Sequence, residues 1–420
     1  MEPPMALRSD NVRVLLVLGF FHLAVIVTTS DKLYFTLFSL FALAYASYYV
    51  TFVVHQPDIH CSRSPIERFL RAHCPAMFAT FYPTIWTAGG HARTIVRCIF
   101  QRTPPSIEFS RETLSGADGG LFCIDWITEK GTRSLRGRDR IVVVIPGVTG
   151  GSEEPYAQHI AAAVIEKGYG CVILTQRGNQ DTPLTTPRTY CATSFEDVRT
   201  IHNHIAKKFP TSEIFLVGIS LGALQVTHYL GHLGSEAKEK SIAGAMVISM
   251  PYELFRSKET IEAPLTHMTA GTYLILKTRG LYRRHRKIFD ANKDRLPFDL
   301  DYGLQARTMT EIDSRIICPM YGYASWQEYY REATPLASMA KIKVPYLALN
   351  AEDDPFSPGY AIPTDVFQTN PYLILMKTKV GGHIGFTEDF FPTGITLTEK
   401  VLAQFAHTCF TENTPKTFNS

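Results

Sequence analysis

Ser220 is the residue whose surroundings point most directly to chemistry. It stands at the centre of Gly218-x-Ser220-x-Gly222, which follows the apolar run 214–217 and precedes a stretch, 223–230, that can continue as a buried helix. A serine at such a strand-to-helix turn is held in a strained conformation with its hydroxyl exposed, and the small glycines let the helix pack back against the sheet. The spacing therefore predicts a nucleophilic serine.

A serine hydroxyl is a poor nucleophile unless a base accepts its proton and a third group orients that base. Asp353 and Asp354 directly follow one strand-like apolar run, and His383 comes shortly after another. The carboxyl ends of parallel strands share one edge of a sheet, so the three loops can bring Ser220, His383 and a carboxylate together. The residue pattern alone does not separate Asp353 from Asp354.

A tetrahedral oxyanion also needs backbone N–H donors. One is expected from Leu221, the residue after the nucleophile, and the other from the loop that follows an early strand of the sheet. The run 141–145 supplies such a strand, and Pro146-Gly147-Val148 follows it. We therefore predict the N–H groups of Val148 and Leu221 as the oxyanion donors.

These motifs belong to a wider set spread over most of the chain. The set comprises His73-Cys-Pro75, Tyr82-Pro-Thr-Ile-Trp86, Ala117-Asp-Gly-Gly120 with Asp125-Trp126, Pro146-Gly-Val-Thr-Gly150, Gln176-Arg-Gly178, Thr186-Pro-Arg-Thr-Tyr-Cys191, the serine turn, residues 350–358 and Gly381-Gly-His-Ile-Gly-Phe386. In these motifs the chain resembles the eukaryotic membrane-anchored α/β-hydrolase-domain proteins. Relatives in that family include a phospholipase of medium-chain phosphatidylcholine and the yeast ethyl-ester synthases.

The resemblance implies the α/β-hydrolase fold and a serine hydrolase of lipid carboxylic esters, with glycerophospholipids as the substrate class and no metal or cofactor. It assigns catalysis to Ser220, Asp354 and His383, and favours Asp354 because residues 354–358 resemble the D-x-x-x-P acid loop of the fold. Leu221 stands where methionine is common in the family, a difference that bears on substrate preference. The same acyl-serine could pass its acyl group to an alcohol, and a catalytically silent lipid-binding fold is a third hypothesis.

The alternation of apolar runs with helical stretches predicts a mainly parallel sheet flanked by helices. Between Pro251 and Lys341 this rhythm gives way to helical, aromatic-rich sequence, which indicates a cap over the site. We predict four parts, listed by residue number: an N-terminal membrane anchor, 1–56; a connecting segment, 57–115; a hydrolase core, 116–251 and 342–412; and a cap insertion, 252–341.

Residues 33–54 hold 22 positions without a formal charge. As a helix they would measure about 33 Å, enough to cross a hydrocarbon core of roughly 30 Å. We expect a transmembrane helix there, in the endoplasmic reticulum or another endomembrane. The apolar residues 14–29 fit a signal-type segment, a second short span or an interfacial helix, and the flanking charges leave the topology undecided.

Composition excludes other classes. A net charge of +3 without a recognisable motif argues against nucleic-acid binding, and eight cysteines without C-x-x-C spacing argue against a zinc site. Arg177 is expected to hold a loop rather than substrate. A basic cluster in the cap fits a solvated helix face better than a contact with lipid phosphates; its members are Lys277, Arg279, Arg283, Arg284, Arg286 and Lys287.

Overall fold

The protein is described here from a computed structural model, which covers residues 32–62, 64–104, 107–129 and 139–412. Its described part contains one sheet of nine strands. They are β1 (Asp58–Cys61), β2 (Ile107–Ser115), β3 (Leu121–Glu129), β4 (Arg140–Ile145), β5 (Gly170–Thr175), β6 (Glu213–Ile219), β7 (Ile242–Ile248), β8 (Tyr346–Ala351) and β9 (Leu373–Thr378).

The strands lie in the order β1-β9-β8-β7-β6-β4-β5-β3-β2. All neighbours from β5 through β4, β6, β7 and β8 to β9 are parallel. The strands at the two ends, β2 and β3 on one side and β1 on the other, are antiparallel to their neighbours. This confirms the predicted α/β fold with a mainly parallel sheet.

Helices cover both faces of the sheet. Those of eight or more residues are Lys32–Tyr48, Ser64–His73, Gly89–Phe100, Pro155–Glu166, Glu196–Lys208, Leu221–Leu233, Leu254–Ile261, Thr272–Arg284, Trp326–Ala333 and Leu397–Thr411. Shorter ones are Glu236–Glu239, Pro264–Thr266, Arg286–Asp290, Leu300–Leu304, Met309–Ile312, Cys318–Tyr321, Leu336–Met339 and Thr364–Thr369. Three π-helical segments, Tyr49–Val53, His267–Gly271 and Asp313–Ile317, and three 3₁₀ segments, Pro75–Phe78, Lys293–Arg295 and Gly359–Ala361, complete the helical elements.

The central strands are apolar on both faces because helices bury both faces of the sheet. In β4, Val143 belongs to the core on one side, whereas Val142 and Val144 belong to the core on the other. Alternate side chains of a strand point to opposite faces, so a continuous apolar run fills two cores at once. The predicted runs thus lie in strands, with ends shifted by at most two residues.

The sheet extends further toward the N-terminus than the sequence indicated. Residues 57–115 were expected to be a connecting segment, yet they contain both β1 and β2. β2 pairs with β3 over nine residues, from Ile107 to Ser115, and β1 pairs with β9. Outer strands carry fewer apolar residues because only part of their surface is buried, so these two strands contain no continuous apolar run that would predict them.

Residues 252–341, all of which the structure describes, contain helices and no strand. Part of this region has its own apolar cluster around Tyr282, Phe289 and Ile316. The observed elements agree with a helical insertion, and the exact division of the chain into parts stays a prediction.

The N-terminal helix Lys32–Tyr48 continues into the π-helical segment Tyr49–Val53. Within the described residues, Tyr34–Val53 is the one helical stretch long and apolar enough to cross a membrane, and it lies near the N-terminus. The apolar residues 14–29 lie outside the described part of the chain.

Candidate active site

Ser220 sits at the junction of β6 and the helix Leu221–Leu233. Its backbone angles are φ 54° and ψ −115°, a strained conformation for a residue with a side chain. A Cβ on Gly222 would lie 2.1 Å from the carbonyl oxygen of Ile145, so only glycine lets this helix approach β4. The geometry is that of the predicted nucleophile turn.

His383 lies between Ser220 and Asp354. Its Nε2 is 2.9 Å from the Ser220 Oγ, and its Nδ1 is 2.9 Å and 3.1 Å from the two carboxylate oxygens of Asp354. The histidine is 9% exposed and the aspartate 3%, so both contacts are shielded from bulk water. The three residues are therefore arranged for proton transfer from the serine to an imidazole held by a carboxylate.

The loop after β8 fixes the carboxylate of Asp354. Its Oδ1 accepts the backbone N–H groups of Phe356 at 2.7 Å and Ser357 at 2.9 Å. The Ser357 hydroxyl donates in turn to the carbonyl of Met250, and the Phe356 ring packs edge-on against His383. The acid is thus held from several sides, as a group that must orient a histidine requires.

Asp353 points to other partners. Its Oδ1 accepts the N–H groups of Gly381 and Gly382, each at 2.8 Å, and its Oδ2 lies 2.8 Å from the Arg93 guanidinium. The two carboxylates therefore differ in geometry, because Asp354 contacts the imidazole and Asp353 holds the backbone of the turn before it. Burial raises the pKa of Asp353 above its ordinary value, against the opposing effects of these partners.

The helix Gly89–Phe100 holds the His383 loop from outside the sheet. Besides Arg93, it presents Thr94, whose hydroxyl accepts a hydrogen bond from the backbone N–H of His383 at 2.8 Å. Arg97 donates to the carbonyl of Ile384 and pairs with Glu399, and both side chains of that pair are almost completely buried. We call Arg93, Thr94 and Arg97 the histidine clamp.

The clamp is not among the predicted site residues, because its helix lies within 57–115, the stretch expected to be a connecting segment. The available signal was the presence of two arginines and a threonine at positions 93, 94 and 97, one helical turn, on a helix with apolar residues on its other side. Nothing in the sequence indicates that their partners lie 260 to 302 positions away.

The two predicted oxyanion donors lie in the helix that follows Ser220 and in a neighbouring loop. Leu221 begins the helix that follows the serine, and Val148 lies in the loop after β4. That loop closely approaches the serine, since a Cβ on Gly147 would lie 3.3 Å from the Ser220 Cβ. The neighbouring Thr149 N–H donates to the Tyr190 hydroxyl at 2.7 Å, which fixes the course of the loop.

The remaining candidates lie apart from this constellation. Arg177 is 4% exposed and pairs with Asp118 and Asp197, contacts that suit the expected structural role in a loop. In the basic cluster, Arg286 pairs with Asp290 and Asp301, and most other members are exposed. All eight cysteines are free thiols, and the described residues contain no group of three or more His, Cys, Asp or Glu side chains placed to hold a metal ion.

Comparison with known proteins agrees with this architecture. The family profile described as the alpha/beta hydrolase fold matches residues 140–388. The human protein named phospholipase ABHD3 is 33% identical over 367 residues, covering 87% of this chain and 88% of the relative. The monoacylglycerol lipase of Saccharomyces cerevisiae is 30% identical over 251 residues, covering 59% of this chain and 55% of the relative.

A further human relative, monoacylglycerol lipase ABHD2, is 26% identical over 364 residues, covering 84% of this chain and 85% of that protein. The profile match and the extended identity, together with the order and direction of the strands, show that this chain belongs to the α/β-hydrolase family.

Proposed function

We propose that this protein hydrolyses carboxylic esters of lipids, with the acyl chains of glycerophospholipids as its substrates. The observation that carries the proposal is the contact of His383 with both Ser220 and Asp354, in a chain that is 33% identical to a protein named phospholipase. The monoacylglycerol lipase relatives support the broader class of lipid esters.

In the proposed reaction, the Ser220 Oγ attacks the ester carbonyl and its proton passes to the Nε2 of His383. Asp354 keeps the imidazole oriented and stabilises the charge that it acquires. The N–H groups of Val148 and Leu221 stabilise the oxyanion of the tetrahedral intermediate. Collapse of this intermediate forms an acyl-serine, and the leaving alcohol takes the proton from His383.

Water then attacks the acyl-serine, with His383 as the base, and the fatty acid leaves. No residue in this sequence of steps requires a metal or a cofactor. An alcohol in place of water would give a new ester, so acyl transfer is the alternative outcome of the same intermediate. The helical insertion 252–341 is proposed to cover the site and to decide which acceptor enters.

We further propose that Tyr34–Val53 anchors the chain in the endoplasmic reticulum or another endomembrane. Its length and apolar composition support a span, and its outward side chains agree with contact with lipid, including Phe38 at 68% and Phe41 at 69% exposure. Fluorescence microscopy of the tagged full chain with organelle markers tests the location, and resistance to carbonate extraction tests the anchorage.

The reaction is tested with detergent-solubilised wild type and Ser220→Ala on phosphatidylcholines of short, medium and long acyl chains, with and without ethanol. We expect free fatty acid and lysolipid from the wild type, and a loss of about 10⁴-fold or more in Ser220→Ala. Ser235→Ala, at an exposed serine outside the site, is the matched control and keeps full activity.

Serine-dependent ethyl ester in place of fatty acid would favour acyl transfer. Equal activity of wild type and Ser220→Ala would refute the proposed mechanism. Failure of a fluorophosphonate to label Ser220 in the folded protein would point to the silent lipid-binding fold.

A further inference from the structure

An apolar surface adjoins the end of the N-terminal helix. It consists of seven exposed side chains from three segments, and we call it the rim surface: Ile85, Trp86, Ile99, Phe100, Phe390, Phe391 and Ile395. Phe391 is 70% exposed, Ile99 68% and Phe390 61%, so the structure leaves large apolar side chains in contact with solvent. Contiguous exposed apolar patches often mark binding surfaces, whereas apolar residues that are exposed singly need no explanation.

The aromatic members of the rim surface are held together by direct contacts. The rings of Trp86 and Phe100 meet edge to face with centroids 5.4 Å apart, and those of Phe390 and Phe391 lie 4.9 Å apart. The Trp86 Nε1 donates to the Phe390 carbonyl at 2.6 Å, which joins the two pairs. The side chains therefore form a fixed surface.

The rim surface is continuous with the apolar helix Tyr34–Val53. The hydroxyl of Tyr45 donates to the carbonyl of Ile85, and that of Tyr49 donates to the carbonyl of Pro83 at 2.5 Å. Pro83 also forms an antiparallel bridge with Glu388, next to the segment that carries Phe390 and Phe391. The end of the helix is thus hydrogen-bonded to the backbone of a segment that carries part of the rim surface.

From this continuity we propose that the rim surface docks into the interfacial layer of a phospholipid bilayer, the one in which the N-terminal helix is anchored. The helix brings lipid to the adjoining side chains whenever it is inserted. Tryptophan and other aromatic residues are favoured at the level of the lipid headgroups, where an apolar ring can be buried beside polar groups. A bilayer is therefore the partner that best fits both the composition of the rim surface and the apolar helix beside it.

Docking at this surface would bring lipid close to the active site. Phe390 follows His383 by a few residues, and Ile99 and Phe100 end the helix that carries the histidine clamp. The consequence for catalysis rests on the proposed function, since it assumes that the substrate is a lipid of that bilayer. The docking itself does not require any turnover, so it can be measured separately.

Tryptophan quenching tests the docking directly. The chain has three tryptophans, of which Trp126 is buried at 4% exposure and Trp326 lies in the cap. The full-length protein is reconstituted into phosphatidylcholine vesicles with and without brominated acyl chains. We expect bromolipid to quench the wild type and the Trp326→Phe control, and Trp86→Phe to lose most of that quenching.

Activity provides the second measurement. The double variant Phe390→Ser with Phe391→Ser is expected to lower turnover of vesicle phosphatidylcholine about tenfold. The reason is that two phenylalanine rings are no longer partly buried in the bilayer. Turnover of a water-soluble short-chain ester should change less than twofold. Phe109→Ser, at an exposed aromatic on the edge strand β2 that is not part of the rim surface, is the matched control and should change neither rate.

Absence of Trp86 quenching would overturn the docking, and so would an equal loss on vesicles and soluble ester, because that pattern indicates damage to the site itself. A wild type that hydrolyses neither substrate would contradict the proposed function alone. Trp86 quenching would then still decide whether the rim surface docks.

Discussion

The two side chains proposed to act as nucleophile and base are held in different ways. Ser220 depends on its immediate neighbours, since β6, the following helix and the glycine at 222 together determine its conformation. His383 depends on the histidine clamp, whose residues lie almost 300 positions earlier in the chain. The proposed nucleophile is thus positioned by local structure, and the proposed base by tertiary contacts.

This difference shows where the site is vulnerable. A strained turn is maintained by the strand and helix on either side of it, so it survives changes elsewhere. A loop held by side-chain contacts from a separate helix shifts when those contacts are lost, and a shift near 1 Å is enough to impair catalysis. The clamp also lies outside residues 140–388, the part that matches the family profile.

The largest effect is expected when the two neighbouring carboxylates are compared. Asp354→Asn should lower kcat by about 10³- to 10⁴-fold, because the amide favours the wrong imidazole tautomer. Asp353→Asn should lower kcat only about tenfold, because the amide oxygen can still accept from Gly381 and Gly382 while the bond with Arg93 weakens. Steady-state kinetics on a soluble ester measure both.

Thermal unfolding of the two variants is the control, since each should remain folded at the assay temperature. Equal losses in kcat would show that Asp353 does more than position the loop. A larger loss in Asp353→Asn would contradict the assignment of Asp354.

A second test concerns the buried pair of Arg97 and Glu399. Glu399→Gln leaves the guanidinium of Arg97 without its carboxylate and should lower the free energy of unfolding by about 3 kcal/mol at pH 7. Glu213→Gln, in the exposed pair with Arg140, should change it by less than about 0.5 kcal/mol. Chemical denaturation in detergent measures both variants.

The difference in the free energy of unfolding between wild type and Glu399→Gln should also depend on pH. Burial raises the pKa of this carboxyl, but Arg97 and the hydroxyl and N–H of Thr396 outweigh it and hold the pKa below its ordinary value of 4.5. The pair therefore stabilises the fold above pH 4.5, and that contribution is lost as the pH falls through the lower folded-state pKa. A difference between wild type and Glu399→Gln that grew on acidification would be inconsistent with this ion pair.

The smallest effect is expected from the single hydrogen bond at Thr94. Thr94→Val removes the acceptor of the backbone N–H of His383. It should lower kcat about threefold to tenfold, with little change in KM. Thr94→Ser keeps the hydroxyl and should restore most of the activity. If the serine variant were as slow as the valine variant, packing rather than the hydrogen bond would explain the loss.

The sequence predicted those parts of the site that depend on short motifs. The conformation of Ser220 follows from five consecutive residues and the apolar run before them. The positions of Asp354 and His383 follow from the rule that loops after parallel strands meet at one edge of the sheet. These features are local, or they repeat in every sheet of this type.

The clamp and the outer strands were not predictable in the same way. β1 and β2 have mixed polar and apolar composition, and Arg93, Thr94 and Arg97 resemble the polar residues of an ordinary surface helix. Their role depends on which distant backbone they face. A single sequence contains no direct record of such pairings, so only the folded structure identifies them.

The pairing of β1 with β9 also affects how the chain can fold during synthesis. β1 leaves the ribosome long before β9, yet the two are neighbours in the sheet. Loops that span most of a chain close late, because their entropic cost must be met before the contacts form. We therefore expect β1 to stay unpaired until β9 has been synthesised, so that a chain truncated shortly before Leu373 would contain the nucleophile turn but lack the strand that pairs with both β8 and β1.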